Sequence, residues 1–537
     1  MYHQKNRFIN LDTASGERTL LVKQFRGVSH LFRGFEFYVD VLSTDKNMVG
    51  KNMLMTPAAI SVQASSHQTH YFHGMITHFE RGERDGHFYY YRIILQPNFD
   101  LLKMTQQFRI FQHKTVPDII KTILHERKIV DIEFKLKETY QEREYCCQYG
   151  ENTHDFLHRL MEEEGIFYFY VHHKNKHTIV FVDSIDSFSC VGEKNNHFSA
   201  WFHKEAFHSG KIVLTDYVHQ RPSAGLTVME EDERGIHDRH YHPGGFSSVS
   251  EGNKKMKLHK LSYDMQAITY GGEGEDFAVM PGKKFLYQGN EFYFLSVDYV
   301  ASDQSYSSQG SEFCQVMFSC RPCSAPYKPI QKRVKPKVMG VETALVLGKE
   351  GSELEVDEQG RVRVKFHWEY TNKAEGSCWL RVAQLWAGHL YGMQFLPRVG
   401  QEVLVQFVQG DPDRPLIMGS LFNAEQQPPY KLPEHKTRSG IKTRSMPNGD
   451  VSSGNELSFE DKKDKEEIFL HAEKDFRRVI EDSELCLVKK GDFQVTVSKG
   501  QIVLSADKKL ILKVEGSKIE MDEEGIVIFS KKLVVKS

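Results

Sequence analysis

The segment "KGQIVLSADKKLILKVEGSKIEMDEEGIVIFSKKLVVKS" at residues 499–537 alternates short apolar runs with charged turns. The first apolar residues of successive predicted strands follow one another at intervals of 9, 8, 9, 7 and 7 residues, a period of roughly eight. A short, regular period predicts a stacked, quasi-one-dimensional fold. These first residues are Phe493, Ile502, Leu510, Ile519, Ile526 and Leu533.

The same repeat carries a second set of apolar positions, which gives each predicted strand an apolar stripe. A single narrow ribbon cannot bury this stripe, because strands this short need a partner surface. Three copies wound around one axis would bury the stripe centrally and pair the strand edges with neighbouring chains. The alternative is a ribbon packed against the rest of its own chain. The second set consists of Val495, Val497, Leu504, Leu512, Val514, Met521, Ile528 and Val535.

We therefore predict a needle over residues 476–537, an intertwined trimeric β-prism or β-helix. We predict that Leu533 and Val535 form its tip. The side chains predicted at the core of the trimer are Phe493, Val495, Val497, Ile502, Leu504, Leu510, Leu512, Val514, Ile519, Met521, Ile526 and Ile528.

The composition is that of an ordinary globular protein, and 537 residues suggest three or four domains. With 70 basic and 72 acidic residues the net charge is −2, which gives no global attraction to nucleic acid or anionic membrane. The longest apolar run found, "IFYFYV" (166–171), is far shorter than the roughly 20 residues of a membrane span. The first 25 residues show no signal peptide, and eight cysteines do not make a disulfide scaffold. We expect synthesis in the cytosol.

Residues 1–335 are mostly strand-like and are predicted to contain two β-barrels and two helices. "FEFYVDVLS" (35–43) places Phe35, Phe37, Val39 and Val41 on one face by strict alternation, and "HFYYYRIILQP" (87–97) is a second strand. The helices are predicted at "VPDIIKTILHER" (116–127) and "NTHDFLHRLMEEEG" (152–165), which Gly165 ends.

Two linkers separate the remaining regions. A basic segment with four prolines (321–340) precedes a compact β unit at 336–425, in which "QGRVRVKFHWE" (359–369) and "EVLVQFV" (402–408) alternate cleanly. A small closed sheet of this kind suits an OB-fold. A second linker begins at residue 426, and we assign 426–475 to the linker and the start of the needle.

Three groups of residues could bind a metal or perform chemistry, but each has a simpler interpretation. His237, His240 and His242 lie in a polar loop, where solvated or stacking histidines are the default interpretation. Cys314, Cys320 and Cys323 lack the fourth ligand that structural zinc normally needs. Neither set is assigned a metal, and Cys146 and Cys147 are predicted to be core residues.

Other motifs also favour a structural interpretation. "GGEGEDF" and "LGKEGSE" lack the phosphate-binding G-x-x-x-x-G-K-[ST] pattern and read as turns. The run Glu162, Glu163 and Glu164 reads as a solvated helix end. The basic segment 436–444 has no aromatic residue that could stack on bases, so we expect no nucleic acid and no cofactor.

Several long motifs resemble the VgrG family, the spike proteins of bacterial type VI secretion systems. "GNELSFEDKKDKEEIFLHAEKDF" (454–476) looks like a signature of that family. The other matching motifs, which occur in the family's order, are "RIFQHKTVPDII" (109–120), "QYGENTHDFLHRLMEEEGIFYF" (148–169), "VDEQGRVRVKFHW" (356–368), "CWLRVAQLWAG" (378–388), "GMQFLPRVGQEVLVQFVQGDPDRPLIMGSLFN" (392–423) and "SGIKTRS" (439–445).

The resemblance implies a homotrimer similar to the fused hub and spike of a contractile phage tail. Residues 1–335 would form a hub that docks on the Hcp tube, 336–425 an OB-fold neck, and the C-terminal part a needle with a PAAR-type cap. Such a spike would puncture a target membrane, deliver effectors and leave the cytoplasm in the same stroke. The chain ends on the repeat at Ser537, as expected of family members without a C-terminal toxin domain.

Two other functions remain open from the residues alone. The baseplate hub and spike of a phage-like particle would share this architecture. An envelope-degrading tail enzyme would need paired carboxylates in a dedicated domain, and only about 50 residues separate Asn423 from the repeat, too few for such a domain. We therefore expect a mechanical protein rather than an enzyme.

Overall fold

The computed structural model describes residues 4, 7–14, 20–63, 68–191, 198–233, 237–305, 311–370 and 376–534. Its contacts divide the chain into two units, Met1–Leu432 and Pro433–Ser537. The protein is mainly β. Its α-helices within the described residues are α1 (Val116–Glu126), α2 (Thr153–Glu164) and α3 (Val249–Ala267), and 3-10 turns occur at Gly50–Asn52, Asn98–Met104, Ile185–Ser187 and Val408–Gly410.

Strands make up most of the regular structure in both units. In chain order they are β1 (Ile9–Thr13), β2 (Leu21–His30), β3 (Gly34–Ser43), β4 (Pro57–Gln63), β5 (Thr69–Asp85), β6 (Phe88–Gln96), β7 (Gln106–Lys114), β8 (Ile132–Lys135), β9 (Arg143–Asn152), β10 (Phe167–His172), β11 (His177–Val182), β12 (Ser189–Cys190), β13 (Ala200–Glu205), β14 (Lys211–Thr215), β15 (Thr227–Glu231), β16 (Asp238–Tyr241), β17 (Ile268–Gly274), β18 (Lys283–Tyr287), β19 (Asn290–Asp303), β20 (Glu312–Pro322), β21 (Glu342–Leu347), β22 (Arg363–Phe366), β23 (Ala387–Gly388), β24 (Tyr391–Gly392), β25 (Glu402–Phe407), β26 (Pro415–Leu421), β27 (Arg438–Lys442), β28 (Glu456–Glu460), β29 (Glu467–His471), β30 (Lys509–Val514), β31 (Ser517–Asp522) and β32 (Gly525–Ser530).

One large sheet organises the hub region, residues 1–335. Its order is β1-β4-β5-β6-β3-β2-β19-β20-β17-β13, with β18 on β19 and β12 on β18, twelve strands among the described residues. The strict alternation predicted for β3 is confirmed, because Phe35, Phe37, Val39 and Val41 are all buried. Smaller sheets, β10-β11-β8 and β7-β9, complete the packing around α1 and α2.

Both predicted helices are present, and their ends have the expected caps. The Thr115 hydroxyl accepts from the Asp118 backbone N–H at the start of α1, and the Asn152 side chain does the same for Asp155 at the start of α2. Gly165 ends α2 at φ +72°, a left-handed conformation that glycine adopts without a steric penalty.

The prediction of only two helices in 1–335 was wrong, because α3 is a third. Its apolar residues do not form one continuous stripe, and the helix buries His259 and Lys260 beside Met256 and Tyr263. Periodicity therefore could not reveal it. The run Ser248-x-x-Glu251 was the available signal, since the Ser248 hydroxyl accepts from the Glu251 backbone N–H.

The neck, residues 336–425, is built on the four-stranded sheet β22-β21-β25-β26. Its core includes Val362, Val364, Phe366, Val403 and Val405, the inward residues of the two alternating segments. Both strand predictions are therefore confirmed, although Trp368 is only partly buried at the edge of this core.

The segment between hub and neck is fixed to its surroundings rather than being an open linker. Tyr327 is buried against Phe167, with ring centroids 4.6 Å apart. The Arg333 guanidinium pairs with Glu162 at 3.2 Å. Further along, the Lys335 ammonium lies 2.5 Å from carboxylate oxygens of both Asp411 and Asp413.

Candidate functional site

Strands β30, β31 and β32 form an antiparallel sheet with two chemically different faces. The register places Leu512, Ile519 and Ile528 opposite one another, and residues that are directly opposite lie on the same face. The neighbouring row contains Leu510, Met521 and Ile526. With Val514, these seven side chains form what we call the apolar face, and all seven belong to the predicted trimer core.

The other face, which we call the charged face, has a charged side chain in every row, with Ile511, Val527 and Phe529 between them. Lys509 pairs with Glu520 and lies 3.2 Å from Asp522, and Lys518 also pairs with Glu520. Hydrogen bonds from Lys509 and Lys518 lower the pKa of the Glu520 carboxyl. Charged side chains therefore interrupt the apolar ones on the charged face, whereas the apolar face contains no charged side chain.

Two glycines make the tight turns of this sheet possible. Gly516 between β30 and β31 has φ +75°, and Gly525 at the start of β32 has φ +141°. Side chains with a Cβ rarely adopt these left-handed values. The glycines therefore allow turns short enough to keep the two apolar rows in register.

The apolar face is exposed in the single chain. Val514 is 67% exposed, Ile526 68% and Ile528 50%, values that are high for aliphatic side chains on one face of a sheet. A contiguous apolar surface of this kind marks an interaction site in a folded protein. The apolar face is therefore the candidate functional site of the C-terminal unit.

The upstream half of the repeat differs from the sequence-based expectation. Residues 472–508 contain no regular strand, although strands were predicted from Phe493 and from Ile502. A strand is defined by a hydrogen-bonded neighbour, and this segment has none within the single chain. The predicted core residues here, which are 45–71% exposed, are Phe493, Val495, Val497, Ile502 and Leu504.

The predicted tip is only partly described. Leu533 follows β32 and is 66% exposed. Val535 lies outside the described residues. The assignment of both residues to a cap-binding surface stays a prediction, as does the placement of the core residues on an axis.

A second sheet, β27-β28-β29, contains the family signature. Glu456 and Glu460, at the two ends of β28, pair with Lys442 at 3.9 Å and with Arg438 at 3.6 Å. Ser458 between them is almost fully buried. The "FED" run of the signature thus lies at the end of β28, a strand that two ion pairs join to β27.

The histidine and cysteine candidates take ordinary positions. His240 Nε2 and His242 Nδ1 lie 2.9 and 3.0 Å from the Thr215 hydroxyl, at the solvent-exposed edge of the sheet formed by β14 and β16. Cys320 is buried in β20, whereas Cys314 and Cys323 are partly exposed. Among the described residues no group of three His, Cys, Asp or Glu side chains is arranged to hold a metal ion.

Cys146 and Cys147 are buried in β9, where burial raises the pKa of both thiols. The Asp413 carboxylate of the neck accepts a hydrogen bond of 2.6 Å from the Cys147 backbone N–H. These residues therefore lie where the hub meets the neck, a role that the sequence did not indicate. None of the described helices is both long and apolar enough to span a membrane.

Three family models match successive parts of the chain. The phage tail baseplate hub (GPD) model matches residues 29–306. The type VI secretion system/phage-baseplate injector OB domain matches 352–422, and the bacteriophage T4 gp5 C-terminal trimerisation domain matches 439–535. The apolar face lies within the part that resembles the trimerisation domain.

Curated relatives resemble almost the whole chain. The type VI secretion system spike protein VgrG1b of Pseudomonas aeruginosa is 32% identical over 512 residues, covering 90% of this chain and 69% of the relative. VgrG1a of the same organism is 32% identical over 510 residues, covering 89% of this chain and 79% of the relative. The actin cross-linking toxin VgrG1 of Vibrio cholerae is 31% identical, and the match covers 95% of this chain but 50% of the toxin.

Solved structures share the fold. The E. coli c3393 protein, described as a type VI secretion component with structural similarity to T4 tail proteins gp27 and gp5, matches with a TM-score of 0.58 and 22% identity. That match covers 77% of this chain and 100% of the c3393 chain. A chain of the lidded Francisella PdpA–VgrG complex matches with a TM-score of 0.57 at 10% identity, over 98% of this chain and 80% of that chain.

Proposed function

The chain belongs to the VgrG family of type VI secretion system spike proteins, and from this premise we propose that it acts as a homotrimer that punctures membranes and delivers effectors. The hub docks on the Hcp tube, the neck transmits the thrust, and the C-terminal unit forms the needle. The proposal assigns no catalytic step to the chain, because a needle works by stiffness and shape.

The single observation that carries the proposal is the exposed apolar face. Seven aliphatic or thioether side chains share one face of β30–β32, and in the single chain that face is open to water. The match of 439–535 to a trimerisation domain supports further copies of the chain as the cover. Burial in an assembly removes the apolar area from water at about 25 cal/mol per Å².

The partners and location follow from the same proposal. The chain is held in the bacterial cytoplasm until firing and then enters the medium or the target cell. A PAAR-type cap binds the tip at Leu533 and Val535, and effectors travel with the spike. The target membrane is a transient partner, and the proposal includes neither nucleic acid nor a cofactor.

We propose a spike without enzymatic activity of its own. The Vibrio cholerae relative is named an actin cross-linking toxin, but this chain spans half of that relative's length. VgrG1a and VgrG1b, of which this chain spans 79% and 69%, are named as spike proteins. The named activity of the longer relative is therefore not assigned to this chain.

Native mass spectrometry of the full chain tests the proposal directly. We expect a species of three times the 62.2 kDa chain mass that persists on dilution. A stable monomer at micromolar concentration would rule out the proposed spike. Co-purification with an Hcp ring, compared between the trimer and a variant that does not assemble, then tests tube docking.

A further inference from the structure

A hairpin in the neck exposes large apolar side chains that the chain itself leaves uncovered. It runs from Gln384 to Phe395 and contains β23 and β24, and we call it the neck arm. Leu390 at its tip is 94% exposed and Leu385 90%. The other exposed side chains of the arm are Trp386, Tyr391, Met393 and Phe395.

The arm has a defined shape. The Gln384 side-chain amide donates to the Phe395 carbonyl at 3.1 Å and accepts from the Phe395 backbone N–H at 2.9 Å, which closes the base of the hairpin. Trp386 packs edge-on against Tyr391, with ring centroids 5.5 Å apart. An interaction surface held in shape before binding loses less conformational freedom on binding.

The tip residue is unusual in two respects. Leu390 has φ +61°, a left-handed conformation in which glycine or asparagine is far more common. It also presents its aliphatic side chain to water. Both features are unfavourable for the isolated chain, and a strained residue with an exposed apolar side chain points to a contact made outside the chain.

We propose that the neck arm docks on the neck of an adjacent copy of this chain within the trimer. This inference rests on the proposed trimeric spike. The segment 422–437 joins β26 of the neck to β27, in which the trimerisation match begins at residue 439. A connection this short holds three necks at effective concentrations of about millimolar once the C-terminal units assemble.

The composition of the arm fits a contact between copies. Trp, Tyr and Leu together provide a rigid aromatic anchor with aliphatic neighbours, and aromatic anchors dominate binding energy at protein interfaces. The necks of a closed ring also meet in the same way three times, so one arm per chain provides three equivalent contacts. The neck thereby becomes a second trimer interface, separate in position from that of the needle.

Site-specific photo-crosslinking tests this proposal on the full chain. A benzophenone amino acid replaces Leu390 in one preparation and Met339, a 92% exposed neck residue outside the arm, in the other. Native mass spectrometry first establishes the oligomeric state of both. We expect irradiation of the Leu390 preparation to shift the fully denatured chain to twice its mass, with the crosslinked peptide in 336–425. The Met339 preparation measures the background crosslinking of an exposed neck position outside the arm.

The outcomes separate the arm from the spike itself. A monomer in native mass spectrometry rejects the proposed function and the arm together. The arm proposal is overturned if the protein is a trimer but the label at Leu390 crosslinks to no second chain. It is also overturned if the label crosslinks to the hub, to the C-terminal unit or to another protein. Either result leaves the proposed spike intact.

A substitution provides a second readout. Leu390→Gly suits the left-handed conformation, so it leaves the fold of the single chain undisturbed. We expect faster amide exchange at 385–395 in the trimer, with 509–530 unchanged. Unchanged exchange in the arm would also overturn the proposal.

Discussion

At the scale of single residues, a group of buried histidines limits the conditions in which the hub is stable. His177 Nε2 accepts a hydrogen bond from the Asn98 backbone N–H at 3.2 Å, so the proton of the neutral ring lies on Nδ1. That nitrogen lies 2.9 Å from His73 Nδ1, which must therefore be the acceptor. Nearby, His172 packs against Phe35 with ring centroids 4.7 Å apart. A further proton on either His73 or His177 would face an N–H group and has no acceptor.

Burial lowers the pKa of all three rings. The pKa of His177 falls to about 3. Burial and the nearby His177 hold the pKa of His172 well below its usual value. The pKa of His73 is also lowered, although Asp131 opposes the effect. The unfolded chain binds these protons near pH 6.5, whereas the folded chain binds them only at much lower pH. The unfolded state therefore takes up more protons on acidification, and the stability of the hub is lost as the pH falls below about 6.5.

We predict that the unfolding free energy of the hub decreases between pH 6.5 and 4, by up to about 1.4 kcal/mol per pH unit for each such histidine. His177→Gln keeps an acceptor for Asn98 but removes one titrating group. The number of protons taken up on unfolding should fall by about one, so the unfolding free energy should depend less steeply on pH. Urea unfolding at a series of pH values measures this. His203→Gln, at an exposed position in β13, should leave the slope unchanged; equal slopes for wild type and His177→Gln would contradict the prediction.

At the scale of elements, the alternating strands and the capped helices could be predicted, but the contacts between elements could not. Phe35 and Val364 reach the core because strict alternation specifies a face. The helix α3 was missed because Lys260 and His259 are buried through specific partners, Lys260 by Asp232 and Asp264, which interrupts the apolar pattern. Polar burial of this kind depends on residues distant in sequence.

The C-terminal segment shows the same limit. The apolar positions of β30–β32 follow from the repeat, and the register places them on one face. Phe493 and Ile502 lie outside regular strands, since their segment pairs with no strand among the described residues of its own chain. The neck arm was also missed, since an exposed apolar hairpin and a core strand have the same composition.

The segment between hub and neck supports a prediction about how these elements are coupled. Lys335 lies between Asp411 and Asp413, and Asp413 also accepts from the Cys147 backbone N–H of the hub. Removing the cation leaves two partly buried carboxylates without compensation. We expect Lys335→Met to destabilise the contact between hub and neck by about 3 kcal/mol.

Calorimetry together with limited proteolysis of 323–341 measures this effect. The variant should unfold at lower temperature and be cut faster within that segment. Lys337→Met changes an exposed lysine two residues away and should behave as wild type. If both variants behave alike, the paired carboxylates do not depend on Lys335.

The apolar face allows a matched comparison within one sheet. Ile519 lies on the apolar face, whereas Ile511 lies on the charged face between Lys509 and Lys513. In a trimer, Ile519→Asp places three carboxylates in an apolar interior, where an uncompensated charge costs about 3–5 kcal/mol. We expect assembly of the C-terminal unit to be lost while the neck stays folded.

Ile511→Asp makes the same chemical change on the charged face, directly opposite Glu520, whose charge Lys509 and Lys518 compensate. It should assemble normally. Native mass spectrometry and resistance of the trimer to heat in SDS compare the two variants. An intact, equally resistant Ile519→Asp trimer would show that this side chain does not point toward the axis.

At the scale of the whole molecule, the two units depend on assembly to different extents. The hub buries a large aromatic core, with Phe25, Phe37, Phe72 and Tyr299 in mutual contact, entirely within one chain. The C-terminal unit leaves its apolar face exposed in one chain. The hub is therefore stabilised by its own core, whereas the proposed spike assigns the stability of the needle to association.

This difference predicts two unfolding transitions with different concentration dependence. For three chains that fold only together, each tenfold dilution weakens the assembly by about 2.7 kcal/mol per trimer, because two chain concentrations enter the equilibrium. The transition of the C-terminal unit should therefore move to lower temperature on dilution. The hub transition should stay in place, since its core requires no partner.

Amide exchange of 509–530 and of 35–41, followed during heating at two protein concentrations that differ tenfold, distinguishes the two transitions. Ile519→Asp serves as the control, because its C-terminal unit should exchange rapidly at both concentrations while the hub keeps its wild-type transition. If 509–530 in the wild type were protected equally at both concentrations in a reversible transition, the single chain would stabilise this sheet by itself. The exposed apolar face would then need an explanation other than association.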